Sequence, residues 1–235
     1  MNLRNINYIW KKFVDFFHRL PLCVILKENL VMKYLLLFFI LITLASCNKS
    51  EKSNDLLKKA TEVYFISNLP ENIKIDSSLI LTKKAIEVDN ENVNALQHLS
   101  ILLFKNKDID GLLEVSDRLI NLRPERATFL LQKGIYLEIK GNSSESKKYL
   151  KKSISKYEEH LDKDSLNFDL NIEYIDALNI NNDTILANKK LNNLKKMKLE
   201  EYQIEILDLY NNQKKSINDL FKYWKGEIDY NELSK

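Results

Sequence analysis

Apolar and small residues in the middle of this chain recur with a period of 34. Leu96, Leu99, Ser100, Leu103, Leu112 and Ser116 are followed 34 residues later by Leu130, Lys133, Gly134, Leu137, Ser146 and Leu150. Within each period the apolar positions fall three or four residues apart, which places them on one face of a helix. A fixed period of this length implies stacked like units, none of which buries its apolar face alone. The whole chain has four Gly and three Pro, too few for the tight turns of sandwiches, barrels or dinucleotide-binding sheets. The expected class is all-α.

The pattern has a packing logic. Ser100 and Gly134 are small enough to let a second helix approach, and Leu96, Leu103, Leu130 and Leu137 fill the space one turn either side. The second helix supplies a small residue at Ser146 and a bulky one at Leu150; Leu112 and Ser116 depart from that order. Lys140-Gly141-Asn142 reads as the turn between them, with Gly141 in a left-handed conformation. Pro124 closes one unit and opens the next. Together these residues resemble the tetratricopeptide repeat, whose period is 34. The resemblance implies a right-handed solenoid of antiparallel helix pairs over residues 55–198, with C-terminal capping helices in 199–235. It is strongest over 79–156.

An upstream unit is expected, with a first helix near Asn54–Ser67 that ends before Pro70 and a second that closes at Ala85–Asn92. A fourth, looser unit covers 165–197. Ala187 follows Ser146 by more than one period, so about seven extra residues are expected in the helix holding Tyr157 and His160 and in the loop Asp162-Lys163-Asp164. Further on, Leu199, Tyr202, Ile206, Leu209 and Tyr210 form one apolar stripe. Leu220, Phe221 and Trp224 form another after the capping-box-like Ser216-Ile217-Asn218-Asp219. Both stripes suit the caps that a solenoid needs at its open end, or alternatively a binding element.

The N-terminal region carries a different signal. Tyr34 to Ala45 is an apolar core of about 12 residues behind Lys33, shorter than the roughly 20 needed to span a bilayer and within the range of a signal peptide. It closes on Leu44-Ala45-Ser46-Cys47, which resembles the lipobox of bacterial lipoproteins. The resemblance implies a signal peptide at 32–46, cleavage before Cys47, a lipid on that Cys, and a flexible polar tether over 47–54. Asn48 rather than Asp follows the Cys, and no run of acidic residues does. The expected location is therefore the outer membrane, facing the periplasm. Residues 1–31 precede a second candidate start at Met32 and read as an upstream extension of the coding frame, or as a cytoplasmic extension or interfacial helix.

Charge and titratable groups narrow the function classes. The net charge of +3 belongs to the leader: residues 1–47 hold six basic and two acidic side chains, leaving 30 basic against 31 acidic. A near-neutral body lacks the field that draws nucleic acid. Apart from Cys23 and Cys47 there is no thiol, so no disulfide holds the body together. His98, between Leu96 and Leu99, is expected to point partly to solvent. His160 follows Glu158-Glu159 near a helix end. Neither His has a metal-helix pattern, and Gly111, Gly134, Gly141 and Gly226 are too isolated for a phosphate loop. No catalytic residue, metal ligand or cofactor is expected.

Binding surfaces remain. Lys147, Lys148, Lys151 and Lys152 are read as one face of a second helix, and Lys189, Lys190, Lys195 and Lys196 repeat the arrangement. That face is either simply solvated or a contact for anionic lipid. In the resembled fold the concave groove is lined by first-helix positions, here Asn94, Gln97, Ile101 and Phe104, then Thr128, Leu131, Ile135, Glu138 and Ile139. The candidate partner groove is Gln97, Ile101, Phe104, Leu131, Ile135 and Glu138, open to an apolar helix or peptide or filled by the chain's own C-terminal helices. The expected function is a lipid-anchored, non-enzymatic scaffold for protein–protein interaction in the bacterial envelope. The alternative is a ligand- or sugar-binding accessory lipoprotein, or an enzyme, with its site between helices.

Overall fold

The computed structural model describes residues 30–212, 217–229 and 232, with the side chains of 30–33, 35–48, 209–212, 217, 218 and 220 outside that description. Ten helices follow in order among the described residues: α1 (Leu30–Phe65), α2 (Glu71–Val88), α3 (Val93–Lys105), α4 (Ile109–Leu122), α5 (Ala127–Ile139), α6 (Ser143–Lys163), α7 (Phe168–Ile180), α8 (Thr184–Leu194), α9 (Glu201–Asn212) and α10 (Ile217–Lys225). No strand occurs among them. Each helix packs against the next from α1 to α8, giving four antiparallel pairs stacked as a solenoid. Contacts between like helices of neighbouring units fall among first helices, α1 with α3 and α5 with α7. First helices therefore form the closer, inner layer.

The period is written in the backbone. The α3–α4, α5–α6 and α7–α8 turns close in the same way. Lys107 N–H bonds Phe104 O, Gly141 N–H bonds Glu138 O, and Asn182 N–H bonds Asn179 O. The next N–H in each case reaches back five residues, to Leu103, Leu137 and Leu178. This is the Schellman closure, whose pivot residue must be left-handed. The pivots have φ 56° at Lys107, 90° at Gly141 and 64° at Asn182. Gly141 fits the expectation; at the other two pivots Lys and Asn accept a conformation that glycine adopts without strain.

The extra residues of the third unit lie in its second helix. α6 is 21 residues long where α4 is 14, and it contains Tyr157, His160, Asp162 and Lys163. Asp162 and Lys163 thus continue the helix that was expected to give way to a loop there. Two apolar clusters result, one around α2–α5 and one around α5–α9. At the centre of the third pair, a Cβ on Gly134 would stand 2.7 Å from Leu150 Cδ2 and 3.3 Å from the Leu150 backbone nitrogen. Ser146, fully buried, donates to Gly134 O at 2.8 Å. One period earlier, Ser100 and Ser116 occupy the places of Gly134 and Leu150, so small-with-large becomes small-with-small.

Polar ties join the units. Lys133 on α5 is buried and bonds Asp117 on α4 and, at 2.9 Å, the Tyr149 hydroxyl on α6. Burial opposes its charge, but Asp117 and Tyr149 together hold the ammonium above its ordinary value. In the next unit, with the insertion counted, the equivalent positions are Tyr174, Glu158 and Lys190. There the Tyr174 hydroxyl donates to Glu158 at 2.8 Å, and the Lys190 ammonium lies over the Tyr174 ring, 5.2 Å from its centre. Lysine and tyrosine have exchanged helices while the carboxylate stays on the preceding second helix. Ser153 of α6 is buried with an unpaired Oγ.

Three expectations are corrected here. The stretch 47–54 is not a flexible tether: α1 runs through it, and buried Ser53 donates to Ala85 O at 2.8 Å. Asn92, the N-cap of α3, also donates to Ser53 Oγ and Asn54 Oδ1. The first helix of the first unit therefore begins well before Asn54. His98 is buried rather than half-solvated, because it closes a chain from α1 to α3. Ser78 donates to Ala60 O at 2.9 Å, so His98 Nε2, 2.9 Å from Ser78 Oγ, is the donor in that pair. Burial lowers the His98 pKa.

Candidate docking face on the inner layer

The expected groove residues divide into three groups. Gln97 and Ile101 on α3 are exposed, Ile101 by 44%. Phe104, Ile135 and Glu138 are half-buried, and Glu138 accepts from Ser143 Oγ at 2.9 Å. Leu131 belongs to the core: it is 7% exposed and packs with Leu150, Tyr157 and Ile175. It is removed from the groove. Its helix turn faces α6 and α7, where Leu150, Tyr157 and Ile175 share the cluster with it. Of the flanking positions, Asn94 is exposed, and Thr128 and Ile139 are half-buried.

Part of the face is already occupied. Trp224 of α10 meets the Phe104 ring edge-to-face, with centroids 5.9 Å apart and planes at 82°. Phe221, one turn earlier, packs on Trp224 at 5.6 Å. α10 also contacts α5. Phe221 borders an open cavity of about 440 Å³ with Glu138, Ile180, Asn181 and Asn182. The two C-terminal helices thus differ in role. α9 closes the stack through Leu207, which is 4% exposed and packed with Ala187, Leu191 and Leu194. α10 turns back over the C-terminal ends of α3 and α5, and its Phe221 borders the cavity shared with α6 and the end of α7. Of the expected stripe residues here, the side chains of Leu209, Tyr210 and Leu220 lie outside the described residues.

Carboxylates on this layer were missed in the sequence. Glu173 of α7 accepts from Thr128 Oγ1 at 2.8 Å and from the Tyr157 hydroxyl at 3.0 Å. Burial pushes the Tyr157 phenol up, and the Glu173 charge adds to the effect. Asp176 stands one unit on at the position of Ile135, and Asp169 at that of Thr128, so extending the period past the insertion would have found both. Among the described residues no group of three or more His, Cys, Asp or Glu is arranged to hold a metal ion.

The lysines of α6 do not share one face. Lys147 and Lys151 border the cavity beside Phe221, whereas Lys148 and Lys152 border another with Tyr149. Lys152 lies over the Tyr149 ring, 5.3 Å from its centre. Leu44–Cys47 are helical in backbone, with side chains outside the described residues. Among the described residues no helix is long and apolar enough to cross a membrane.

No family model matches the chain, and no curated protein matches it. Among solved structures it is similar to a mutant O-GlcNAc transferase from Thermobaculum terrenum, at 15% identity and a TM-score of 0.38. The likeness covers 56% of this chain and 23% of that one, so the chain spans about a quarter of its length. It assigns no activity.

Proposed function

We propose that this chain is a lipid-anchored scaffold of the bacterial envelope, a tetratricopeptide-like solenoid that recruits a protein partner through its inner helix layer without catalysing a reaction. One observation carries the reading: the inner layer already binds a helix through aromatic contact, Trp224 on Phe104, while Gln97 and Ile101 beside it stay exposed. A surface that holds one amphipathic helix has the relief and apolar area to hold another.

The anchor reading rests on Leu44-Ala45-Ser46-Cys47. A lipid on Cys47 stands six residues before docked Ser53, about 9 Å along a helix. The body is then held close against the bilayer, and Asn48 after the lipidated Cys favours the outer membrane. Fractionation of a Cys47→Ser variant tests the anchor: it should leave the membrane fraction, and unchanged co-sedimentation rejects lipidation. Co-purification from membranes, comparing the natural chain with Ile101→Asp, tests recruitment. A specific partner should be lost in the variant. Glu173 and Asp176 on the same layer favour a second reading, a small polar ligand held between helices. A reproducible thermal shift with a sugar or metabolite, without any protein partner, would put that reading first.

A further inference from the structure

We propose that α10 is a built-in occupant of the docking face, and that the partner presents the same chemistry: a short amphipathic helix bearing two aromatic side chains one turn apart. The proposal rests on the reading of the inner layer as the partner surface. α10 is a self-contained helix of nine residues. Asp219 in its first turn accepts from Lys222. Its end is closed by Gly226 N–H to Tyr223 O and Glu227 N–H to Lys222 O, with Gly226 at φ 75°. It needs no neighbouring unit to complete its backbone hydrogen bonds, as a docking peptide would not.

Its seat is shallow. Phe104, Phe221 and Trp224 all stay half-buried, whereas Leu207 of α9 is buried in the cluster with the last helix pair. α10 lies across the ends of the first helices α3 and α5 instead of extending the layers, and its Phe221 reaches a cavity shared with α6 and the end of α7. Trp224 sits on α3, the helix contacts α5, and Phe221 borders the cavity with Ile180 of α7. Removing it would therefore uncover Phe104 beside the already exposed Ile101 without opening the core. A tethered occupant acts at an effective concentration in the millimolar range, so even a weak contact blocks the seat against dilute competitors. A partner must match the aromatic pair and add contacts along Gln97 and Ile101 to displace it.

The test uses a fluorescent peptide of residues 215–229 and the full chain, read by anisotropy. The Trp224→Ser chain should bind the peptide at least tenfold tighter than the natural chain, and adding Phe104→Ser should abolish the gain. Equal binding by the natural and Trp224→Ser chains overturns the proposal. Absence of binding to both Trp224→Ser and Phe221→Ser chains, with melting unchanged, overturns it as well. Partner capture without peptide binding rejects this inference and leaves recruitment standing. Peptide binding without any captured partner does the reverse.

Discussion

Gly134→Ala offers a close test of how the third helix pair is packed. In a helix interior the change gains about 0.8–1 kcal/mol of intrinsic propensity. Against that, the new methyl would meet Leu150 Cδ2 at 2.7 Å and Cγ at 2.9 Å, distances that force a shift. Leu150 is 4% exposed, so its branch has little room to rotate. Its backbone nitrogen, 3.3 Å away, limits how far the helix can yield. Overpacking of this kind costs about 1–3 kcal/mol, which leaves a net change between about zero and a loss of about 2 kcal/mol. For a body of this size that is a fall of roughly 2–4 °C in Tm per kcal/mol. Thermal or urea melts followed by circular dichroism in a double-mutant cycle with Leu150→Ala give the reading. Once Leu150 is truncated the clash is gone, and Gly134→Ala should then stabilise by about 1 kcal/mol. If Gly134→Ala stabilises both backgrounds equally, Leu150 does not pack on Gly134 and the account of the pair is wrong.

Three further expectations concern the strained turn, the unpaired hydroxyl and the buried imidazole. Lys107→Gly relieves a left-handed lysine that costs about 1–2 kcal/mol, less the added flexibility of glycine when unfolded, for a net gain of about 0.5–1 kcal/mol in a urea melt. Ser153→Ala removes a buried hydroxyl with no partner and should leave stability unchanged or raise it by up to about 1 kcal/mol; a marked loss in the same melt would show that the hydroxyl is bonded. For His98, the folded pKa lies below the ordinary 6.5, so below pH 6.5 the unfolded chain binds the proton more readily. Its stabilising share is whole above pH 6.5 and declines as pH falls toward the folded value, and His98→Gln should flatten that part of a stability-versus-pH series.

The fold was legible because the period is carried by bulk. Leucines and small residues at a fixed interval mark both helices of a pair, and the longer interval from Ser146 to Ala187 points to an insertion at α6. What stayed hidden is carried by single contacts between units. The Lys133–Asp117–Tyr149 and Tyr174–Glu158–Lys190 ties each draw on three helices, and the exchange of lysine and tyrosine erases the repeat at those positions. Leu131 was placed on the groove by analogy of position, but it shares the core cluster with Tyr157 of the lengthened α6. His98 looked half-solvated because Ser78 and Ala60, which enclose it, belong to other helices and lie far from it in sequence. The tether looked polar and therefore loose. Its serine and asparagine bond across to α2 and α3, where a polar side chain serves as well as an apolar one. The destination of α10 was open for a similar reason, since an apolar stripe does not say which surface it will cover.

Site-specific photo-crosslinking in membranes reads out which face of the solenoid meets a partner. A photoreactive residue is placed at Ile101 on the inner layer, and another at Ile185 on α8, which is 85% exposed on the outer layer. One discrete protein adduct is expected at Ile101, strengthened in the Trp224→Ser background and absent at Ile185. An adduct at Ile185 but not at Ile101, or one at Ile101 that Trp224→Ser leaves unchanged, would contradict recruitment through a face that α10 guards.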